Sequence, residues 1–137
     1  MLPKTLAKNI AKLTFTKKAF NIVILNLRNL TDITDYFVIC SADSDTQAKA
    51  IADAVISGIE KKGLQAWHIE GLTERQWIII DYVDVVLHIF LKEVRKFYNL
   101  EKLWGDAIIE IVEDKPTKKT IKSKPQKKDK VEKLLKK

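Results

Sequence analysis

Apolar and polar residues follow each other along the first 112 positions in patterns that predict helices and strands in a definite order. Leu6, Ile10 and Leu13 recur at helical spacing, and lysines four residues apart line another face, which predicts an amphipathic helix of about three turns. The segment Phe20–Leu27 is apolar on both alternating sets of positions, as expected for a strand covered on both faces. After a polar loop, Tyr36–Cys40 predicts a second strand.

The next segment carries the clearest helix signals in the chain. Ser44 and Gln47 form a capping-box pattern, and apolar residues at helical spacing run from Ala48 to Ile59 before Gly63. The later apolar runs predict three strands, the last two an antiparallel pair, and a final helix: Gln65–Glu70, Trp77–Tyr82, Val85–Leu91 and Lys92 to about Asn99. This order predicts an α/β fold in which helices flank a mixed β-sheet.

Charge is distributed unevenly along the chain. Residues 1–114 carry 14 Lys/Arg and 16 Asp/Glu, a net charge of −2, whereas residues 115–137 carry 11 Lys and two acids, a net charge of +9. The basic pI of about 9.4 therefore belongs to the C-terminal segment. We expect one α/β domain over residues 1–112. We expect residues 113–137 to form a disordered, lysine-rich tail, because so few apolar residues cannot offset the ordering entropy.

Cysteine usage and the N-terminal segment bear on the compartment. Cys40 is the only cysteine, which suits a reducing environment and a buried, unreactive thiol. No apolar run approaches the roughly 18–20 residues of a membrane span. The segment before Asp32, the first acid, contains no serine and no arginine before Arg28, unlike a transit peptide. We therefore expect a cytoplasmic protein rather than an organellar one, and no membrane partner.

Candidate catalytic groups are sparse and poorly placed. Asp43 and Asp45 resemble the carboxylate pair of nucleotidyltransferases, which needs both groups on one strand face and a third acid such as Asp81. Here the pair falls at a predicted helix start, where acids are favoured for capping alone. His68 and His88 are the only histidines, and the glycines are isolated. We expect no enzyme activity, no cofactor and no metal site, with a metal-dependent nucleotidyltransferase as the alternative.

Large aromatic residues are concentrated in the second half of the chain instead. Trp77, Tyr82, Tyr98 and Trp104 fit core packing or an interface about equally well when each is taken alone. As a set they favour a protein-docking face, since tryptophan and tyrosine often anchor interfaces. We expect at least two of the four to be partly exposed.

Several motifs in the same order resemble the ribosomal silencing factor family, known as RsfS in bacteria and Iojap in plant organelles. The resemblance spans about residues 5–107. Its motifs are Thr34–Ser41, Ala50–Asp53, Glu70-Gly71, Trp77–Tyr82, Asp84–Phe90, Val94–Tyr98 and Leu103–Ala107. Val83 departs from the pattern, because the family often has glycine there, and the lysine-rich tail lies beyond the shared motifs.

Membership would imply a nucleotidyltransferase-like α/β sandwich without a transferase active site. It would also imply binding to the large ribosomal subunit, mainly to the fourteenth protein of its series, on the intersubunit face. A factor bound there blocks joining of the small subunit and represses translation. The residues expected to contact this ribosomal protein are Trp77, Asp81, Tyr82, Asp84, His88, Arg95 and Tyr98.

The tail and the apolar strands suggest two further contacts. We expect residues 115–137 to lie along nearby ribosomal RNA, because a +9 segment binds phosphates without sequence preference. An RNA-binding module acting through this tail is a second alternative function. The apolar docking strands also suggest a homodimer of the free protein.

Overall fold

The computed structural model describes residues 1–112, which form a single mixed sheet with helices on both faces. The elements in chain order are α1 Pro3–Phe15, β1 Phe20–Asn26, β2 Tyr36–Ala42, α2 Asp45–Glu60, β3 His68–Glu70, β4 Trp77–Asp81, β5 Val85–Leu91, α3 Lys92–Tyr98, α4 Leu100–Leu103 and β6 Ile108–Val112. Among these residues, no helix is both long and apolar enough to cross a bilayer. The predicted disordered tail, residues 113–137, lies outside the described residues.

The predicted α/β class with a mixed sheet is confirmed, and most elements lie close to their predicted positions. Strand β5 has the predicted bounds, whereas β3 begins three residues later than the predicted start at Gln65. Two elements at the end of the domain, α4 and β6, were not predicted. Four of the five residues of β6 are β-branched, a local strand signal that the sequence-based prediction overlooked.

Within residues 1–112, the sheet has six strands in the order β3-β4-β5-β2-β1-β6. Only β2 and β5 pair in parallel, and the other neighbours are antiparallel, including the predicted β4–β5 pair. The parallel pair requires a crossover connection, which contains α2. Strand β6 closes one edge by pairing with β1, which places the end of the domain beside its beginning.

Two hydrophobic cores lie on opposite faces of the sheet. Helices α1 and α2 cover the first face, where Ile22 and Ile24 of β1 are buried. The alternate positions of the same strand, Val23 and Leu25, are buried on the second face, near α3 and α4. This strand is thus covered on both faces, as predicted from its two alternating apolar sets, which only Asn21 and Asn26 interrupt. The short helices α3 and α4, of seven and four residues, cover the second face only in part.

The N-terminus of α2 is capped as predicted and also ties the helix to α1. The Ser44 hydroxyl accepts a hydrogen bond from the Gln47 backbone N–H at 3.1 Å. The Gln47 side chain accepts from the Asp43 backbone N–H at 2.6 Å and donates to the carbonyl oxygens of Lys17 and Lys18. These bonds satisfy groups that a helix start leaves unpaired and fix the two helices relative to each other.

Candidate functional site

Seven rings from five segments meet on the second face of the sheet. Strand β2 contributes one ring, β4 one, β5 two, α3 two and the end of α4 one. We call this set the aromatic cluster: Phe37, Trp77, His88, Phe90, Phe97, Tyr98 and Trp104. The strand residues share this face because side chains alternate along a strand and the register places Trp77 beside Phe90.

The rings contact one another throughout the cluster. The Trp77 ring centroid lies 4.9 Å from that of Phe90 in a stacked arrangement and 4.6 Å from that of Tyr98. At the other end, the Phe37 centroid lies 4.4 Å from that of His88 and 6.1 Å from that of Trp104 in edge-to-face arrangements. Pairs in this range contribute about 0.5–1.5 kcal/mol beyond the burial of their area, so the cluster holds its own shape.

Exposure increases from the base of the cluster to its surface. Phe90 is fully buried, Phe37, Trp77 and Trp104 are half-buried, and Tyr98 and Phe97 are 48% and 80% exposed. The expectation that at least two of Trp77, Tyr82, Tyr98 and Trp104 are partly exposed is thus confirmed. A rigid apolar base with half-exposed rings above it is the structure expected of an interface anchor.

His88 holds the indole of Trp77 in place from beneath. The Trp77 Nε1–H donates a hydrogen bond to His88 Nδ1 at 3.0 Å, which requires that Nδ1 is unprotonated. His88 is only 5% exposed, and burial lowers its pKa from 6.5 to about 3. The imidazole is therefore neutral at physiological pH, with its proton on Nε2. Among residues 1–112, this Nε2 has no hydrogen-bond partner.

A buried ion pair fixes α3 and α4 to the second face of the sheet. The Arg95 guanidinium donates to Glu101 Oε2 from Nε at 3.0 Å and from Nη2 at 2.6 Å. Its Nη1 donates to the Asn21 carbonyl oxygen at 2.6 Å and to the Ser41 hydroxyl at 2.8 Å. Arg95 thus connects both short helices to β1 and β2. It positions the helix that carries Phe97 and Tyr98.

The turn between β4 and β5 contains two acids of the predicted site. Asp81 Oδ1 accepts from the Val83 backbone N–H at 2.7 Å, which supports a turn in which Val83 adopts a φ of +74°. A branched residue is strained at positive φ, so Val83 requires this support. Asp84 is exposed, and its carbonyl oxygen accepts from the backbone of Asp35 and Tyr36.

The predicted contact residues therefore do not form one surface. Trp77, His88 and Tyr98 belong to the aromatic cluster, with His88 beneath its surface. Three residues expected to face a partner are buried: His88 is 5% exposed beneath the cluster, Arg95 is 8% exposed inside its ion pair, and Tyr82 is 5% exposed on the opposite face. Burial and the negative charge of Glu60 raise the pKa of Tyr82 to about 12. The alternation along β4 already separates Tyr82 from Trp77, which the sequence-based prediction overlooked.

Other cluster members gave weaker signals in the sequence. Phe37 adjoins Tyr36 in an apolar strand, and only the parallel β2–β5 register brings it beside His88. In the sequence, Phe90 is an ordinary strand residue and Phe97 an apolar position of the last helix, although Phe97 is 80% exposed.

Two of the three carboxylates considered for metal-dependent chemistry lie away from the aromatic cluster. Asp43 pairs with Lys92 at 3.2 Å, and Asp45 occupies the first turn of α2. Within residues 1–112, no group of three or more His, Cys, Asp or Glu side chains is arranged to hold a metal ion. Cys40 is fully buried, and burial raises the pKa of its thiol to about 12, as expected for an unreactive core residue.

Comparison with known proteins identifies the family. The family model for "Ribosomal silencing factor during starvation", RsfS, matches residues 2–136, a longer span than the resemblance over residues 5–107. The ribosomal silencing factor RsfS of Bacillus subtilis is 40% identical over 107 residues, which cover 78% of this chain and 91% of that protein. The chloroplastic protein Iojap of Zea mays is 37% identical over 74% of this chain and 44% of that protein.

Solved structures agree in fold. A crystal structure from Chromobacterium violaceum superposes with a TM-score of 0.75 and 28% identity, covering 92% of this chain and 99% of that one. A second, from Bacillus halodurans, has a TM-score of 0.64 and 38% identity, covering 74% of this chain and 91% of that one. A family model that matches almost the whole chain, together with these relatives, assigns a non-catalytic role in regulating translation at the ribosome. This chain belongs to the ribosomal silencing factor family.

Proposed function

We propose that the protein docks its aromatic cluster on a ribosomal protein at the intersubunit face of the large subunit and thereby prevents the small subunit from joining. The family identifies the ribosome as the site of action. The fourteenth protein of the large-subunit series is the partner we expect from the family resemblance. The single observation that supports this docking surface best is the cluster itself, with half-exposed rings over a buried base.

The size of the protein suits a steric mechanism. A standard interface buries about 800 Å² on each partner. The accessible surface of the protein is 8414 Å², so such an interface would use roughly a tenth of it. The rest of the domain would project into the space that a second subunit must enter. Exclusion of this kind requires occupancy and no chemical step.

The acidic charge of residues 32–112 favours a basic protein as the partner. Residues 32–112 carry eight Lys/Arg and 14 Asp/Glu, a net charge of −6. Asp81 lies on the same face of β4 as Trp77, and exposed Asp84 follows it in the turn. Acidic groups at the rim of an apolar surface steer a basic partner and fix its orientation, while the rings supply most of the affinity.

The test measures subunit joining and large-subunit binding with purified components. Wild-type protein should reduce the fraction of joined ribosomes in a sucrose gradient. Tyr98→Ala and Phe97→Ala remove exposed rings without opening the core, and we expect each to weaken large-subunit binding by up to about 2 kcal/mol, or about 30-fold. Trp67→Ala is the matched control, because Trp67 is 73% exposed and lies outside the cluster.

Two results would contradict the proposal. Unchanged joining at saturating occupancy of the large subunit would remove the steric mechanism. Equal losses of binding for Trp67→Ala and Tyr98→Ala, in variants with unchanged circular dichroism spectra, would remove the assigned surface. Binding of the large subunit to a surface of this chain that excludes the cluster would have the same consequence.

A further inference from the structure

We propose that the exposed lysines of α1, namely Lys4, Lys8 and Lys12, form a binding surface for an RNA phosphate backbone, separate from the aromatic cluster. We call these three residues the lysine stripe. The proposal rests on the proposed function only in that a protein docked on the ribosome is surrounded by RNA.

Charge is segregated within the described domain. Residues 1–31 contain five lysines and Arg28 and no acid, a net charge of +6, whereas residues 32–112 carry −6. The domain as a whole therefore has no net charge, but its positive and negative charges lie in different parts of the sequence. The positive part is concentrated on α1 and the turn after it, where Lys17 and Lys18 are also exposed. A local field of one sign attracts polyanions even where the net charge is zero.

The positions of the three stripe lysines are unfavourable for the stability of helix α1. Lys4 lies in the first turn, at the positive end of the helix dipole, and that turn contains no acid. The N-cap residue Leu2 provides no side-chain hydrogen bond. Like charges four residues apart destabilise a helix by about 0.2–0.5 kcal/mol for each pair, and the stripe contains two such pairs. Burial of Leu6 and Ile10 on the opposite side holds the helix in place.

Two lysines elsewhere in the domain have acidic partners. Lys49 pairs with Asp53 at 2.8 Å and Lys92 with Asp43 at 3.2 Å. Within residues 1–112, no lysine of the stripe forms an ion pair. A surface that breaks local rules without internal compensation is typical of a functional site rather than of a merely solvated face.

The spacing of the stripe suits a phosphate backbone. A helix rises about 1.5 Å per residue, so successive lysines are about 6 Å apart along its axis and the stripe is about 12 Å long. One strand of a DNA duplex presents a phosphate about every 3.4 Å along the axis, and phosphates of an RNA duplex are at least as closely spaced. Three flexible ammonium groups can therefore each reach a different phosphate. Helix α1 covers the first face of the sheet and the cluster the second, so both surfaces can be occupied at once.

The test compares three full-length proteins in binding a fluorescent 20-base-pair RNA duplex between 50 and 200 mM KCl. The stripe variant carries Lys4→Gln, Lys8→Gln and Lys12→Gln. The matched control carries Lys61→Gln, Lys62→Gln and Lys102→Gln, which removes the same charge from other exposed positions. The lysine-rich tail is unchanged in all three, so its contribution cancels.

Loss of three phosphate contacts should reduce the slope of log K against log salt by about 2.7, and lower the affinity at 50 mM salt at least about tenfold. The control should keep the wild-type slope. The stripe variant should also melt slightly higher, because two like-charge pairs are removed. If the three lysines only stabilised the fold, their replacement would not raise the melting temperature while weakening RNA binding.

Three outcomes would overturn the proposal: equal slopes for the stripe variant and wild type, an equal loss in the control, or stripe-dependent binding to anionic phospholipid vesicles with no effect on RNA. The duplex contains no ribosomal protein. A negative result with the RNA duplex therefore does not contradict the docking proposal. A negative result in the docking test does not change the interpretation of RNA binding.

Discussion

Replacement of Glu101 by glutamine is expected to destabilise the protein by about 3–5 kcal/mol, because it leaves the Arg95 guanidinium buried without its counter-charge. The two side chains are only 9% and 7% exposed, so water cannot take over the role of the carboxylate. Arg95 would retain the neutral acceptors Asn21 O and Ser41 Oγ. Neutral acceptors do not offset the desolvation of a full charge. Such a loss is a large part of the roughly 5–15 kcal/mol that holds a domain folded.

Urea unfolding at pH 7, followed by tryptophan fluorescence, measures this change. The control is the double variant Arg95→Met and Glu101→Leu, which removes both charges and fills similar volume. We expect it to be within about 1–2 kcal/mol of wild type, since apolar replacement of a whole buried pair is often close to neutral. If Glu101→Gln lost less than about 1 kcal/mol, or if the double variant were the less stable of the two, the ion pair would not be the element that fixes α3 and α4.

Two further predictions concern the surroundings of Trp77. Gly71 and Gly63 both have positive φ, +88° and +92°. A Cβ at Gly71 would lie 2.1 Å from the Trp77 carbonyl oxygen, whereas no atom of residues 1–112 lies within 4 Å of a Cβ at Gly63. Gly63→Ala should therefore lower the free energy of unfolding by about 1 kcal/mol, and Gly71→Ala should lower it by at least about 2 kcal/mol more than Gly63→Ala does. Similar urea midpoints for the two variants would refute the clash at Gly71. The second prediction concerns pH. Folded His88 has a pKa of about 3 against 6.5 when unfolded, so the unfolded chain binds the extra proton as pH falls through this window. The contribution of neutral His88 to stability is complete above about pH 6.5 and decreases below it by up to about 1.4 kcal/mol per pH unit. The urea midpoint should therefore fall between pH 7 and pH 5 in the wild type, and it should fall less in His88→Gln.

The composition of the aromatic cluster suggests how one surface combines binding and stability. Phe90 and His88 belong to the core, whereas Phe97 and Tyr98 add little to it because they are largely exposed. Trp77 contacts both groups, since it stacks on Phe90 and lies against Tyr98. A rigid ring already held in place loses little conformational freedom when a partner binds, which raises the affinity for a given area.

Local sequence patterns determined most of the secondary structure. The capping residues Ser44 and Gln47 defined the start of α2, the two-sided apolar pattern of Phe20–Leu27 predicted a strand buried on both faces, and Val85–Leu91 gave both ends of β5. These signals are readable because helix caps and side-chain alternation depend on residues only a few positions apart. The family motifs, in turn, predicted the silencing-factor assignment from the residues alone.

The tertiary structure decided which of these residues share a surface. Arg95 reads as a solvent-facing residue of an amphipathic helix until Asn21, Ser41 and Glu101 surround it from three other segments. Strand β6 joins the sheet by pairing with the otherwise unpaired edge of β1, which lies more than 80 positions earlier in the sequence. Contacts between distant parts of a chain depend on how whole elements pack, and packing of this kind leaves no periodic trace in the sequence.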